Sequence, residues 1–195
     1  MGELTLTDLL KTATSDFPNK RAISACEELD LTHMRLQEIV NHATALITAS
    51  HRHRRAHFPQ QHRGTGVIVF LLENVFVLQF VILFPAVIHC RATVAPLNPF
   101  YIAKVLEFYL SDSEPKLLLT LQEGNRWAQS AASKLNIPHL TANLHSADTK
   151  ITLFDQRRAE PSLDSMSTVV DDPSDVAMFL HTSGAMGHPS PIACC

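Results

Sequence analysis

Between Val67 and Cys90 the chain carries a single formally charged side chain, Glu73. A run of that length and polarity satisfies the span of a bilayer, so it allows two very different folds. As a membrane span it would put Glu73 and Asn74 in hydrocarbon, where a charge and an amide are costly. As two buried elements it needs no lipid. Residues 67–72 then form a strand, Glu73-Asn74 a turn, and a helix starts at Val75 with Asn74 as its N-cap. Strands of a parallel sheet covered on both faces are apolar throughout. The second fold is the one expected, with no membrane span. Pro85, inside the helix, is expected to kink it or end its first half.

The flanking chain supports a layered α/β protein. Residues 4–13 read as a short amphipathic helix with Thr7 as N-cap and Leu6, Leu9 and Leu10 as its apolar stripe, closed by Pro18. Residues 21–26 read as a strand and 29–31 as its returning partner. Thr32 caps a strong helix on which Met34, Leu36, Ile39, Val40, Ala43, Leu46 and Ile47 recur at helical spacing. Helices are expected over 103–112 and 123–135, and strands over 116–120, 137–140 and 176–180. Residues 142–173 turn polar and read as a linker or surface excursion, with 151–154 its one firm hydrophobic piece. Strands alternating with helices predict an α/β fold, a doubly wound and mostly parallel sheet. At 195 residues one domain is expected.

Composition removes several function classes. An apolar content of 46% with 18% charged residues describes a globular chain, and a net charge of −3 gives no global attraction to nucleic acid or anionic lipid. The one basic stretch, His51-Arg52-His53-Arg54-Arg55 through Arg63, lacks the Cys or carboxylate partners of a metal site and the interleaved aromatics of a nucleic-acid surface. It reads as a solvated loop joining a helix to a strand. The four cysteines, Cys26, Cys90, Cys194 and Cys195, have neither disulfide-framework nor zinc spacing, which suits a reducing, cytoplasmic setting. The N-terminus carries neither a secretory signal nor a myristoylation pattern. Cys194-Cys195 reads as the incidental end of a shortened chain.

The chemistry concentrates near the C-terminus. The apolar run 176–180 empties into His181-Thr182-Ser183-Gly184, with a further glycine at Gly187. Glycine permits close backbone approach and positive φ, while Thr and Ser hydroxyls donate to anionic oxygens, so Thr182, Ser183, Gly184 and Gly187 are the candidate phosphate-binding residues. A Gly-Lys-Ser/Thr P-loop is excluded because the chain has no Gly-x-x-x-x-Gly-Lys.

Thr182-Ser183-Gly184, Gly187 and Pro189 resemble the phosphate loop of the AMP-forming acid–CoA ligases, the adenylate-forming superfamily. Ala185 and Met186 stand where that family has two more threonines, Ser190 replaces its lysine and Pro191 its next glycine. Upstream, Thr93-Val94-Ala95-Pro96-Leu97-Asn98-Pro99-Phe100-Tyr101, Glu107-Phe108-Tyr109-Leu110-Ser111-Asp112-Ser113 and Lys116-Leu117-Leu118-Leu119-Thr120 resemble the family's second block, in the right order. Leu31-Thr32-His33-Met34-Arg35-Leu36 sits where the family carries a Leu-Thr/Ser-Tyr-x-x-Leu pattern. The framework residues around Arg91–Asn98, Tyr109–Ser113 and Phe179–Gly184 are most similar to the oxalate–CoA ligase branch.

The resemblance implies a two-step ligase using ATP, Mg²⁺ and CoA on a small carboxylate. Thr182, Ser183 and Gly184 would hold the pyrophosphate end of the nucleotide, with Gly187 as hinge. It also implies a truncated chain, residues 1–195 being the N-terminal part of the ligase domain with 176–192 as its phosphate-loop region. The later nucleotide motifs, acid pocket and C-terminal lid domain would then be missing. No catalytic or metal-binding residue is assigned, and the isolated chain is expected to be inactive. The alternative is a non-enzymatic interaction module that self-associates or pairs with a full-length ligase. Full-length relatives would be cytoplasmic or peroxisomal.

Overall fold

The computed structural model describes residues 5–25, 29–55, 66–71, 77–121, 125–145, 150–154, 172–181 and 191–194. Helix α1 (Leu6–Asp16) precedes an antiparallel hairpin, β1 (Arg21–Ala25) and β2 (Leu29–Thr32). Helix α2 (His33–Arg55) follows, then β3 (Val67–Leu71), α3 (Val77–His89), β4 (Thr93–Pro96), α4 (Ala103–Ser113), β5 (Leu117–Leu121) and α5 (Arg126–Lys134). Strands β6 (His139–His145), β7 (Lys150–Phe154), β8 (Met178–His181) and β9 (Pro191–Cys194) complete the order.

The main sheet runs β7-β6-β5-β3-β4-β8-β9. Its interior pairs are parallel, and β7 and β9 close the two edges antiparallel. This is the expected doubly wound, mostly parallel α/β sheet. Side-chain alternation sorts residues between its two faces. Ile68, Phe70, Leu117 and Leu119 pack with α2 and α3 on one face, while Val69, Leu118 and Ala95 pack with α4 and α5 on the other. The run from Val67 is therefore a central strand and a buried helix. No helix among the described residues is long and apolar enough to cross a membrane.

Several local expectations change. The N-cap of α1 is Thr5, not Thr7: the Thr5 hydroxyl accepts from the Asp8 N–H at 3.1 Å, and the Asp8 carboxylate accepts from the Thr5 N–H at 3.1 Å. That reciprocal box satisfies helix-start donors that a cap at Thr7 would leave open. The Thr5 hydrogen bonds hold the Asp8 carboxyl below its usual value. Thr7 is instead buried inside the helix, and Leu10 meets the core while Leu6 and Leu9 remain exposed. Thr32 caps α2 as expected, accepting from the Arg35 N–H at 3.2 Å. Met34 of the expected stripe is exposed, the other six members being buried. His51 to Arg55, expected in a loop, form the last turn and more of α2.

Helix α3 runs through Pro85 without ending there. Ala86 and Val87, immediately beyond it, are fully buried, so tertiary packing carries the helix past the missing donor. Asn74 lies outside the described residues. Helix α5 begins at Arg126, later than expected, because Asn125 caps it by accepting from the Trp127 and Ala128 N–H groups.

The largest departure concerns residues 142–154. Strand β6 extends to His145 and pairs antiparallel with β7, so the expected excursion begins as the sheet's own edge. Ile151 and Leu153 alternate inward and are buried against α2. Polar residues hid the hairpin because an edge strand needs only one apolar face. Ile151→Ala is expected to lower the free energy of unfolding by about 2–5 kcal/mol in a denaturant titration. An unchanged midpoint would place 150–154 outside the core.

Candidate functional site

Because β3, β4, β5 and β8 are parallel, their carboxyl ends share one edge of the sheet. The chain steps from β3 to β4 on one side, then back across to β5 on the other side of β3. Right-handed crossovers with opposite steps must lie on opposite faces. Accordingly Ile82, Leu83, Ala86 and Val87 of α3 join one core, and Leu106, Tyr109 and Leu110 of α4 join the other. A crevice opens between β3 and β4 where the two connections part, the place where open α/β sheets take ligands. A cavity of about 360 Å³ occupies it, lined by Phe70, Phe80, Pro96, Leu97, Asn98, Pro99 and Phe100.

The rim is held by short-range polar bonds. Asn98 Oδ1 accepts from the Phe100 N–H at 2.9 Å, and the Leu97 N–H donates to the Phe70 carbonyl at 2.8 Å. Asn125, besides capping α5, donates from Nδ2 to the Pro99 carbonyl and so ties α5 to the rim.

Strand β8 lies on the other side of β4, and its entry is latched. Arg91, in the left-handed region at φ 53°, donates to both carboxylate oxygens of Asp175, at 2.7 and 2.9 Å. Its guanidinium also lies 3.7 Å from Asp172. The Thr93 hydroxyl donates to the Val176 carbonyl and the Val94 N–H to the Ala177 carbonyl, both at 2.9 Å. Two hydrogen bonds from Ser174, with Arg91 adding less, hold the Asp172 carboxyl below its usual value.

At the exit of β8 the imidazole of His181 sits against Tyr109, with centroids 4.6 Å apart, and against Phe179 at 5.0 Å. Its Nε2 lies 3.2 Å from Asp112 Oδ2. Burial, then Tyr101, pushes the Tyr109 phenol up. Strand β9 pairs beside β8 with His181 opposite Pro191. Thr182, Ser183, Gly184 and Gly187 lie between those two points, outside the described residues. What the fold fixes is the strand that delivers them.

Sequence reasoning missed the Arg91 latch, the Asp112–His181 pair, Asn125 at the rim and the closing strand β9. Asp112 and His181 are 69 residues apart, and only the β4–β8 pairing brings them together.

A doubly wound sheet with a cavity at its switch point, and a hydroxyl- and glycine-rich segment leaving the neighbouring strand, defines an α/β ligand-binding domain. Residues 11–192 match the AMP-binding enzyme family, and the chain belongs to it. It is 46% identical over 189 residues to the probable CoA ligase CCL9 of Humulus lupulus, covering 95% of this chain and 33% of the relative. It is 40% identical over 185 residues to the oxalate–CoA ligase of Arabidopsis thaliana, covering 95% and 34%. The chain thus spans about a third of the length of these relatives. Among solved structures, the long-chain-fatty-acid–CoA ligase FadD1 of Archaeoglobus fulgidus superposes with a TM-score of 0.68 at 19% identity, over 98% of this chain and 36% of that one. That likeness concerns the fold.

The lining chemistry suits part of a nucleotide-sized ligand. Among the described residues the cavity presents aromatic and proline surface with one amide and no charged side chain, which fits an uncharged planar or apolar portion. Among the described residues no group of three or more His, Cys, Asp or Glu could hold a metal ion.

Arg91→Ala is expected to cost about 1 kcal/mol, the scale of a well-formed bidentate surface pair, and to speed exchange of the Val94 N–H selectively. The Asp172 pKa is depressed on folding, so its contribution is present above the unfolded carboxylate value and lost as pH falls through the lower folded one. Acid titration of stability should therefore be slightly shallower in Arg91→Ala, since Ser174 supplies the larger part of the depression. Identical exchange and identical acid limbs would dismiss the latch.

Proposed function

We propose that this chain is the phosphate-holding N-terminal part of an ATP-dependent acid–CoA ligase. The observation that carries the reading is the placement of β8. It is registered on β4 beside the switch-point crevice and ends at His181, directly before Thr182. Thr182 and Ser183 would donate O–H bonds to phosphate oxygens, and Gly184 and Gly187 would let backbone N–H groups approach them. The overall reaction joins a carboxylate to AMP with loss of pyrophosphate, and the CoA thiol then displaces AMP to give the thioester. Such transfers depend on positioned donors and charge stabilisation.

The substrate class is a small carboxylate, with oxalate the first choice because an oxalate–CoA ligase is among the relatives. Ser190 stands where the family pattern has lysine, so the loop offers hydroxyls and amides without that cation. The isolated 195 residues are proposed not to complete turnover, since they match about a third of the ligases. A cytoplasmic setting, or a peroxisomal one for full-length relatives, belongs to the same reading.

Thermal unfolding of the purified chain tests the nucleotide half. Mg-ATP should raise the melting temperature by mass action, and the rise should shrink in Ser183→Ala. A melt indifferent to saturating ATP contradicts nucleotide binding. Incubation with oxalate, Mg-ATP and CoA should yield no thioester, and its appearance would show that the chain suffices.

A second reading has its own support. Phe100, Ile102 and Trp127 are 75%, 67% and 62% exposed around the Asn125–Pro99 contact, and such surface favours association. A non-enzymatic module pairing with a full-length ligase would co-elute with it at fixed ratio. Separate elution favours the first reading.

A further inference from the structure

His181 is the last residue of β8, and its side chain is 3% exposed. Three contacts define its ring. Tyr109 and Phe179 pack against it, and Asp112 engages Nε2. A carboxylate accepts, so Nε2 carries the proton, and in the neutral ring Nδ1 is left as an acceptor. Nδ1 is buried and has no hydrogen-bond partner among the described residues. Buried polar atoms are rarely left so, and a lone acceptor held in a fixed ring at the mouth of a ligand edge calls for a donor. Asp112 is itself partly exposed on α4, anchored to the second core through Tyr109 and Leu110, three and two residues earlier. The pair therefore links the helix that leaves the crevice on one face to the end of the strand beside it.

We propose that His181 is a positioning residue, oriented by Asp112, that holds the end of β8 directly preceding Thr182 and Ser183 in the sequence. The inference rests on the phosphate reading of those residues for its consequence, but not for its geometry. Neither Asp112 nor His181 contacts phosphate. Asp112 fixes the ring, the ring fixes the strand end, and Nδ1 is left as an acceptor. An unprotonated Nδ1 can accept only from an O–H or N–H group and cannot donate to a phosphate oxygen.

The test uses the 195-residue chain labelled with ¹⁵N, in wild-type, Asp112→Asn and His181→Phe forms. Phe keeps the aromatic packing and removes both ring nitrogens, and Asp112→Asn leaves the core untouched should His181→Phe not fold. In wild type, His181 should show a protonated Nε2 and an unprotonated Nδ1, and Asp112→Asn should blur that preference. The backbone amides of Thr182, Ser183 and Gly184 should move in Asp112→Asn while those of β5 stay. Inorganic pyrophosphate should bind Asp112→Asn about tenfold more weakly, the scale of one hydrogen bond, with an unchanged melt. Unmoved amides at 182–184, or an Nδ1-protonated tautomer in wild type, would overturn the proposal. If wild type binds no pyrophosphate yet the amides move, the positioning role stands and only the phosphate reading fails.

Discussion

The pairing of β8 with β4 is the contact on which the candidate site depends. Only one Cα partnership, Val94 with Met178, registers the two strands. A pairing that short needs help at both ends. The Arg91 fork on Asp175 and the Thr93 hydroxyl on Val176 hold the entry, and the Asp112–His181 contact with its aromatic neighbours holds the exit. The added strand brings a segment from far down the sequence to the edge already prepared by β3 and β4.

The crevice itself follows from connectivity. Stepping from β3 to β4 and then back to β5 forces α3 and α4 to opposite faces, and the gap between them is lined by Phe70, Phe80 and the 96–100 turn. Under the proposed function, the apolar lining would face an uncharged portion of the nucleotide and the hydroxyl- and glycine-rich segment after His181 would supply donors for phosphate. Left-handed residues at Arg91, Glu114 and Asn136 end three helices without glycine. Arg91 adds a function to that position by turning its side chain to the latch.

Much of this was legible from local pattern. The unbroken apolar runs gave the central strands, because both faces of a doubly wound sheet are buried. The motif residues around Asn98 and Thr182 pointed to the family that residues 11–192 confirm. Capping was legible at Thr32 but placed at Thr7 rather than Thr5, where the box with Asp8 outweighed a closer approach to the apolar stripe. The β6–β7 hairpin was hidden because an edge strand alternates, and five residues of alternation among polar neighbours look like a loop. The Arg91–Asp175 and Asp112–His181 contacts had no local signal, since each joins residues that only topology brings together.

Hydrogen–deuterium exchange of the purified chain with and without Mg-ATP would test most directly whether this carboxyl edge is the ligand edge. Protection is expected in peptides spanning 96–100 and 178–184, with the β1–β2 hairpin unaffected. Protection confined elsewhere, or none at saturating ATP, would contradict the placement of the site.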